Sequence, residues 1–72
     1  MKRVYLVMMR TVDSEDKVYE SVLRVFDDKL KAIEYIQSDS RYVYQVNNNT
    51  YYDTESRADE QTHLYIEGYS VY

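Results

Sequence analysis

Seventy-two residues with one glycine and no proline, cysteine or tryptophan make a single small domain, whose core must be modest because a chain this short buries only about 60% of the surface that its unfolded form exposes. Without cysteine there is no disulfide staple and no thiolate chemistry, which fits a reducing, cytoplasmic setting, and a net charge of −4 works against phosphate binding. No apolar run approaches the roughly 18 residues of a membrane span, and the opening MKRVYLVMMR has too short an apolar part, followed by residues too charged, for a signal peptide.

Residues 3–12, RVYLVMMRTV, predict the first strand: Val4, Leu6, Met8 and Val12 alternate with Tyr5, Val7 and Met9, so both faces are largely apolar. A strand of that kind is central or covered twice, one face meeting a helix and the other a partner, a loop or neighbouring aromatic rims. The polar turn DSEDK over residues 13–17 closes a hairpin with residues 18–26, VYESVLRVF. Strict alternation in this second strand puts Tyr19, Ser21, Leu23 and Val25 on one face and Glu20, Val22 and Arg24 on the other.

FDDKLKAIEYIQ, residues 26–37, predicts the one amphipathic helix. At about 100° per residue, Leu30, Ala32, Ile33 and Ile36 fall within one arc of roughly 160°, with Lys31 and Glu34 opposite. Asp27 is the expected N-cap, Asp28 favours the positive end of the helix dipole, and Ser38, Asp39 and Ser40 stop the helix near residue 38. Residues 41–46, RYVYQV, predict a third strand with Tyr42, Tyr44 and Val46 on one side and Val43 on the other. Asn47, Asn48 and Asn49 form a turn, Tyr51 and Tyr52 begin a short return strand, and residues 53–62 are a polar, acidic loop with room for a helical turn. Residues 63–72, HLYIEGYSVY, close the chain as a strand with Leu64 and Ile66 inward, where Gly68 marks a bulge or a close backbone approach. This order predicts an α+β fold, a mostly antiparallel sheet of four to five strands with one helix packed on one face.

Val25, Phe26, Asp27, Ala32 and Ile36 in VLRVFDDKLKAIEYIQ, with Ile66, Tyr69 and Val71 in LYIEGYSVY, resemble a pattern found in small bacterial and phage-encoded domains of unknown function. The pattern is a strand ending in a hydrophobic-aromatic pair, a Ser or Asp cap, a helix of the KxxAxxxI kind and a closing YxIxxYxV strand. The resemblance covers about half the chain, implies the strand-strand-helix-strand fold and brings no catalytic residues. The Tyr-rich, Asn-rich middle departs from it.

Charge and tyrosine are unevenly placed. Residues 1–36 hold seven acidic and seven basic side chains, whereas residues 37–72 hold six acidic ones, only Arg41 and Arg57 as basic ones, and seven of the ten tyrosines. A tyrosine ring packs while its hydroxyl hydrogen-bonds, a usage suited to contact surfaces. Enzymatic chemistry has little to work with: His63 is the one histidine, no glycine-rich loop exists to cradle phosphate, and the adjacent acids Asp27 and Asp28, or Asp59 and Glu60, read as caps or solvated groups. The chain is therefore expected to be non-enzymatic and to need no cofactor. Asp53, Glu55, Asp59 and Glu60 offer hard oxygens but lack the spacing of a calcium loop. Asn48-Asn49-Thr50 matches a glycosylation sequon, which carries no weight without a secretion signal. Tyr42 and Tyr44 behind Arg41 could stack single-stranded bases, against the sign of the local charge. The reading that needs no missing chemistry is a protein-binding surface formed by Tyr42, Tyr44, Tyr51, Tyr52, Asp53, Glu55, Asp59 and Glu60. Its most concrete version is a phage or mobile-element accessory protein that inhibits or modulates a host or defence protein, such as a nuclease whose phosphate sites the carboxylates occupy. The alternative is a homo-oligomeric domain, its second apolar strand face serving as its own interface, with a regulatory or small-ligand role between subunits.

Overall fold

The computed structural model describes residues 2–47, 49–57 and 59–71, which form β1 (Lys2–Val12), β2 (Val18–Phe26), α1 (Lys29–Gln37), β3 (Tyr42–Gln45), β4 (Thr50–Asp53) and β5 (Gln61–Val71). Asn48 of the sequon and Tyr72 of the closing strand lie outside these residues. All pairings are antiparallel within one sheet of order β2-β1-β5-β4-β3. The α+β label fits loosely, since one nine-residue helix accompanies five strands. Among the described residues no helix is long and apolar enough to cross a membrane.

β1, apolar on both faces, takes a central place beside β5, with which it pairs without interruption from Lys2↔Val71 to Val12↔Gln61. The hairpin to β2 turns on Asp13, whose carboxylate accepts from the backbone N–H groups of Glu15 and Lys17, both at 2.9 Å. Asp16 completes the turn at φ 62°, a left-handed position that aspartate tolerates. Strict alternation fails in β2. Val7 pairs with Arg24 but Met8 pairs with Val22, so Leu23 is an extra residue, and the bulge reverses the facing of the residues beyond it. Val25 therefore lies with Val22 and Glu20, away from the helix. Arg24 and Phe26 turn toward it, the guanidinium sitting 5.8 Å from the Phe26 ring centre and 5.5 Å from that of Tyr35.

Asp28, not Asp27, caps α1. Its carboxylate accepts from the Leu30 N–H at 2.9 Å, because Phe26 stays in β2 opposite Tyr5 and the helix starts later than the sequence pattern implies. Asp27 instead forms an exposed ion pair with Lys31 at 3.7 Å. The C-cap is Ser38, whose hydroxyl donates to the Tyr35 carbonyl at 2.7 Å. Ala32 and Ile36 are the buried residues of the helix, Ile33 is half-buried, and Leu30 is 66% exposed. The predicted arc is thus too wide: Leu30 lies about 120° from Ile36 around the axis, at the edge of the packed stripe.

Val7, Ala32, Ile36 and Leu64 form the buried core, with Tyr5, Met9, Phe26, Tyr42, Tyr51 and Ile66 packed around them, all between α1 and one face of the sheet. Gly68 serves the close-approach role rather than a bulge: it pairs with Tyr5 in an unbroken register, and a Cβ there would meet the Tyr5 ring at 3.4 Å. On the opposite face, Val4, Leu6, Met8 and Val12 of β1 lie beside Val22 and Val25 of β2 and Tyr65, Tyr69 and Val71 of β5. No element of the described residues packs across this second face.

Candidate functional site

The β3–β4 hairpin is built by the alternation of its own sequence, with Tyr42 opposite Asp53, Val43 opposite Tyr52 and Tyr44 opposite Tyr51. Tyr42, Tyr44 and Tyr51 consequently point to the helix side, where Tyr42 and Tyr51 pack on the core. Tyr52 points to the other side, its ring 5.2 Å from that of His63. Of the eight residues expected to make one surface, the tyrosines are therefore divided between two faces, and Glu55, Asp59 and Glu60 lie in the loop between β4 and β5.

Tyr44 is the exposed ring of the helix-side group, 47% accessible. It leans on Tyr51 at 5.1 Å between ring centres, and its hydroxyl donates to Asn49 Oδ1 at 2.7 Å. Asn49 sits at φ 54°, the left-handed turn position expected of an asparagine. Tyr44, Tyr51 and Asn49, with Lys29, Ile33 and Ile66, border a cleft of about 260 Å³ between the hairpin and the start of α1. At the other end of β3, Arg41 Nη2 donates to the Tyr42 hydroxyl at 2.8 Å and Arg41 Nε lies 3.4 Å from Asp39 Oδ2. The hydrogen bond to Tyr42 is the main reason the guanidinium pKa is raised, with the Asp39 and Asp53 charges adding to it.

Of the acidic residues, Asp53 serves local structure. The Asp53 carboxylate accepts from the Glu55 N–H at 2.9 Å, and Thr54 ties the loop back to the Arg41 carbonyl through its hydroxyl at 2.7 Å. Glu55 and Asp59 are exposed, and Glu60 is half-buried. Among the described residues no three His, Asp or Glu side chains gather closely enough to hold a metal ion.

The His63 ring lies 5.2 Å from that of Tyr52 on the side of the sheet away from α1. With Arg10, Val12, Thr50 and Tyr65 it lines an open cavity of about 370 Å³ on the uncovered side of the sheet. The Thr50 hydroxyl oxygen is buried and has no hydrogen-bond partner among the described residues. Arg10 and Thr50 are not among the residues that the sequence singles out: period-2 alternation places Arg10 on this face, but only the register brings it beside His63.

Burial, and then the positive charge of Arg10, lower the His63 pKa below its ordinary 6.5. The unfolded chain then takes up this proton before the folded one, so the His63 contribution to stability is intact above about pH 6.5 and is lost as pH falls toward the folded-state pKa. An NMR titration of the imidazole should give a midpoint below 6.5, and Arg10→Gln should move it upward. A midpoint above 6.5, or one that Arg10→Gln leaves in place, contradicts this placement.

Compared with protein-family models, curated proteins and solved structures, the chain matches none. The resemblance to small bacterial and phage-encoded domains rests on the sequence pattern of β2, α1 and β5 alone.

Proposed function

We propose that the chain is a non-enzymatic binding module that engages a protein partner through the helix-side rim of the β3–β4 hairpin, centred on Tyr44 and Tyr51, with Glu55, Asp59 and Glu60 in the loop that follows β4. The observation that carries this reading is Tyr44: an exposed aromatic ring held in one position by a ring contact and a hydrogen bond, at the lip of a cleft. A ring fixed in advance loses little entropy on binding and is the residue type that dominates contact energies. The acidic excess of residues 37–72 favours a basic partner surface. In its most specific form the partner is a host or defence protein, with a nuclease as the type case, whose phosphate-binding site the carboxylates occupy. Small size, acidity and the resemblance to phage-encoded domains support that form. Tyr42, Tyr51 and Tyr52 stay in the reading as supports of the hairpin.

Tagged wild-type and Tyr44→Ala chains, expressed in the native cell, provide the test. The captured protein is then purified and its affinity for both chains measured. Tyr44→Ala should weaken binding by about 2 kcal/mol or more. Equal affinity removes the site from the hairpin. The second reading, a small-ligand role, has the cavity at Arg10, Thr50 and His63 in its favour, where the exposed Arg10 guanidinium suits a small anion.

A further inference from the structure

The fully buried residues all lie on one side of the sheet, and the other side is apolar and uncovered. Val22 is 48% and Val25 56% exposed there, next to Leu6, Met8 and Tyr65. The whole chain exposes 5403 Å² at a mass of 8.7 kDa. A folded monomer of that mass should expose about 4,700 Å². Exposed apolar side chains on both faces contribute to the difference, on the order of 700 Å², with Val22, Val25, Tyr69 and Val71 among them on this one.

We infer that this open face is a self-association surface, on which a second copy of the chain packs sheet against sheet. Charge selects the second copy as occupant. The open face carries Lys2 and Arg10 against Glu20 and Glu67, so it is balanced, while the net charge of −4 resides elsewhere. An identical face brings both signs in equal number, whereas a strongly acidic or basic partner leaves one pair unmatched.

The carboxylates on this face already have local donors. The Tyr65 hydroxyl donates to Glu20 Oε2 at 2.7 Å across β1, and the Tyr69 hydroxyl donates to Glu67 Oε2 at 2.8 Å. Covering them leaves each carboxylate with one donor on Oε2, and the remaining oxygen needs a cation from the second copy, which Lys2 and Arg10 of the identical face supply. Edge-to-edge pairing through β2 is disfavoured by contrast, because the bulge at Leu23 and the charges of Glu20 and Arg24 are the devices that protect a sheet edge. Two faces of this kind pack about 10 Å apart, with the apolar side chains of β1, β2 and β5 interleaved.

The inference is independent of the hairpin reading, since Tyr44 lies on the other side of the sheet. Sedimentation equilibrium of the full chain over concentrations up to about 1 mM tests it. The wild type should approach twice 8.7 kDa. Val22→Lys/Val25→Lys should weaken dimerisation about 100-fold or more, because it buries unpaired ammonium groups. Leu30→Lys, on the exposed helix surface, should leave the dimer unchanged. Circular dichroism checks that the double variant is folded, and Tyr69→Lys, at another exposed position of the same face, takes its place if it is not. A wild type that stays monomeric throughout, including one that instead binds a different protein through this face, overturns the inference. So does a folded open-face variant that dimerises as the wild type does, or a dimer that Leu30→Lys dissolves.

Discussion

Replacing Leu64 with alanine should leave most of the protein unfolded at room temperature. Leu64 is 1% exposed and sits in the first half of β5, opposite Met9 of β1 and Tyr51 of β4, in the cluster with Val7, Ala32 and Ile36. Truncating a buried leucine costs about 2–5 kcal/mol, the upper end where the surroundings cannot collapse into the gap. Here all five of these neighbours are fixed by strand pairing or helix position. A single core in a chain below about 70–80 residues supplies only roughly 3–5 kcal/mol, so the loss is comparable to the whole. Urea unfolding followed by circular dichroism should show the midpoint of Leu64→Ala shifted close to zero denaturant. A loss below about 1 kcal/mol would place the stabilising core elsewhere. Measurement at low protein concentration matters, because association of the open faces would add stability that depends on concentration.

The legibility of this fold in its sequence varies with the scale of the interaction involved. Alternation in residues 3–12 identifies a strand apolar on both faces, and the structure puts it inside the sheet between β2 and β5, because period 2 is a local property of the chain. Leu64 and Ile66 face inward as expected for the same reason. The bulge at Leu23 leaves no local mark, as no glycine, proline or asparagine stands there; it arises from fitting β2 to β1, and it sends Val25 to the face opposite the one its parity implies. The choice of Asp28 over Asp27 as cap is likewise tertiary, set by how far β2 extends before the chain leaves the sheet. The candidate site divides along the same line. Tyr44 with Tyr51 is a cross-strand pair that the turn of Asn47 and Asn49 makes readable. Tyr51 and Tyr52 are neighbours in one strand, so the strand reading itself separates them, and one contact surface cannot present both rings face-on. The association of Arg10, Thr50 and His63 joins three strands far apart in sequence and needs the sheet order to be seen.

Ile36→Ala should be the second severe substitution, and set beside Leu30→Ala it measures what holds the helix. Ile36 is the largest side chain that α1 buries, and Ala32 one turn earlier is the only other residue of the helix to be fully covered. A nine-residue helix is too short to persist alone in water, so its existence depends on this contact with the sheet. Losing the side chain should cost about 2–5 kcal/mol, whereas Leu30→Ala, in the same helix and also a loss of a branched apolar group, should change stability by no more than about 0.5 kcal/mol. Hydrogen exchange adds a spatial readout. In Ile36→Ala the amides of α1 should lose protection first, and those of β1 and β5 last, because the strand pair has its own unbroken ladder. Since Ile36 and Leu64 share one cluster, their double variant should lose less than the two single losses together, the second truncation enlarging a gap the first has already opened. Equal costs at positions 30 and 36 would mean that α1 docks by the whole predicted arc, and strict additivity with Leu64→Ala would mean that the helix and β5 do not share a core.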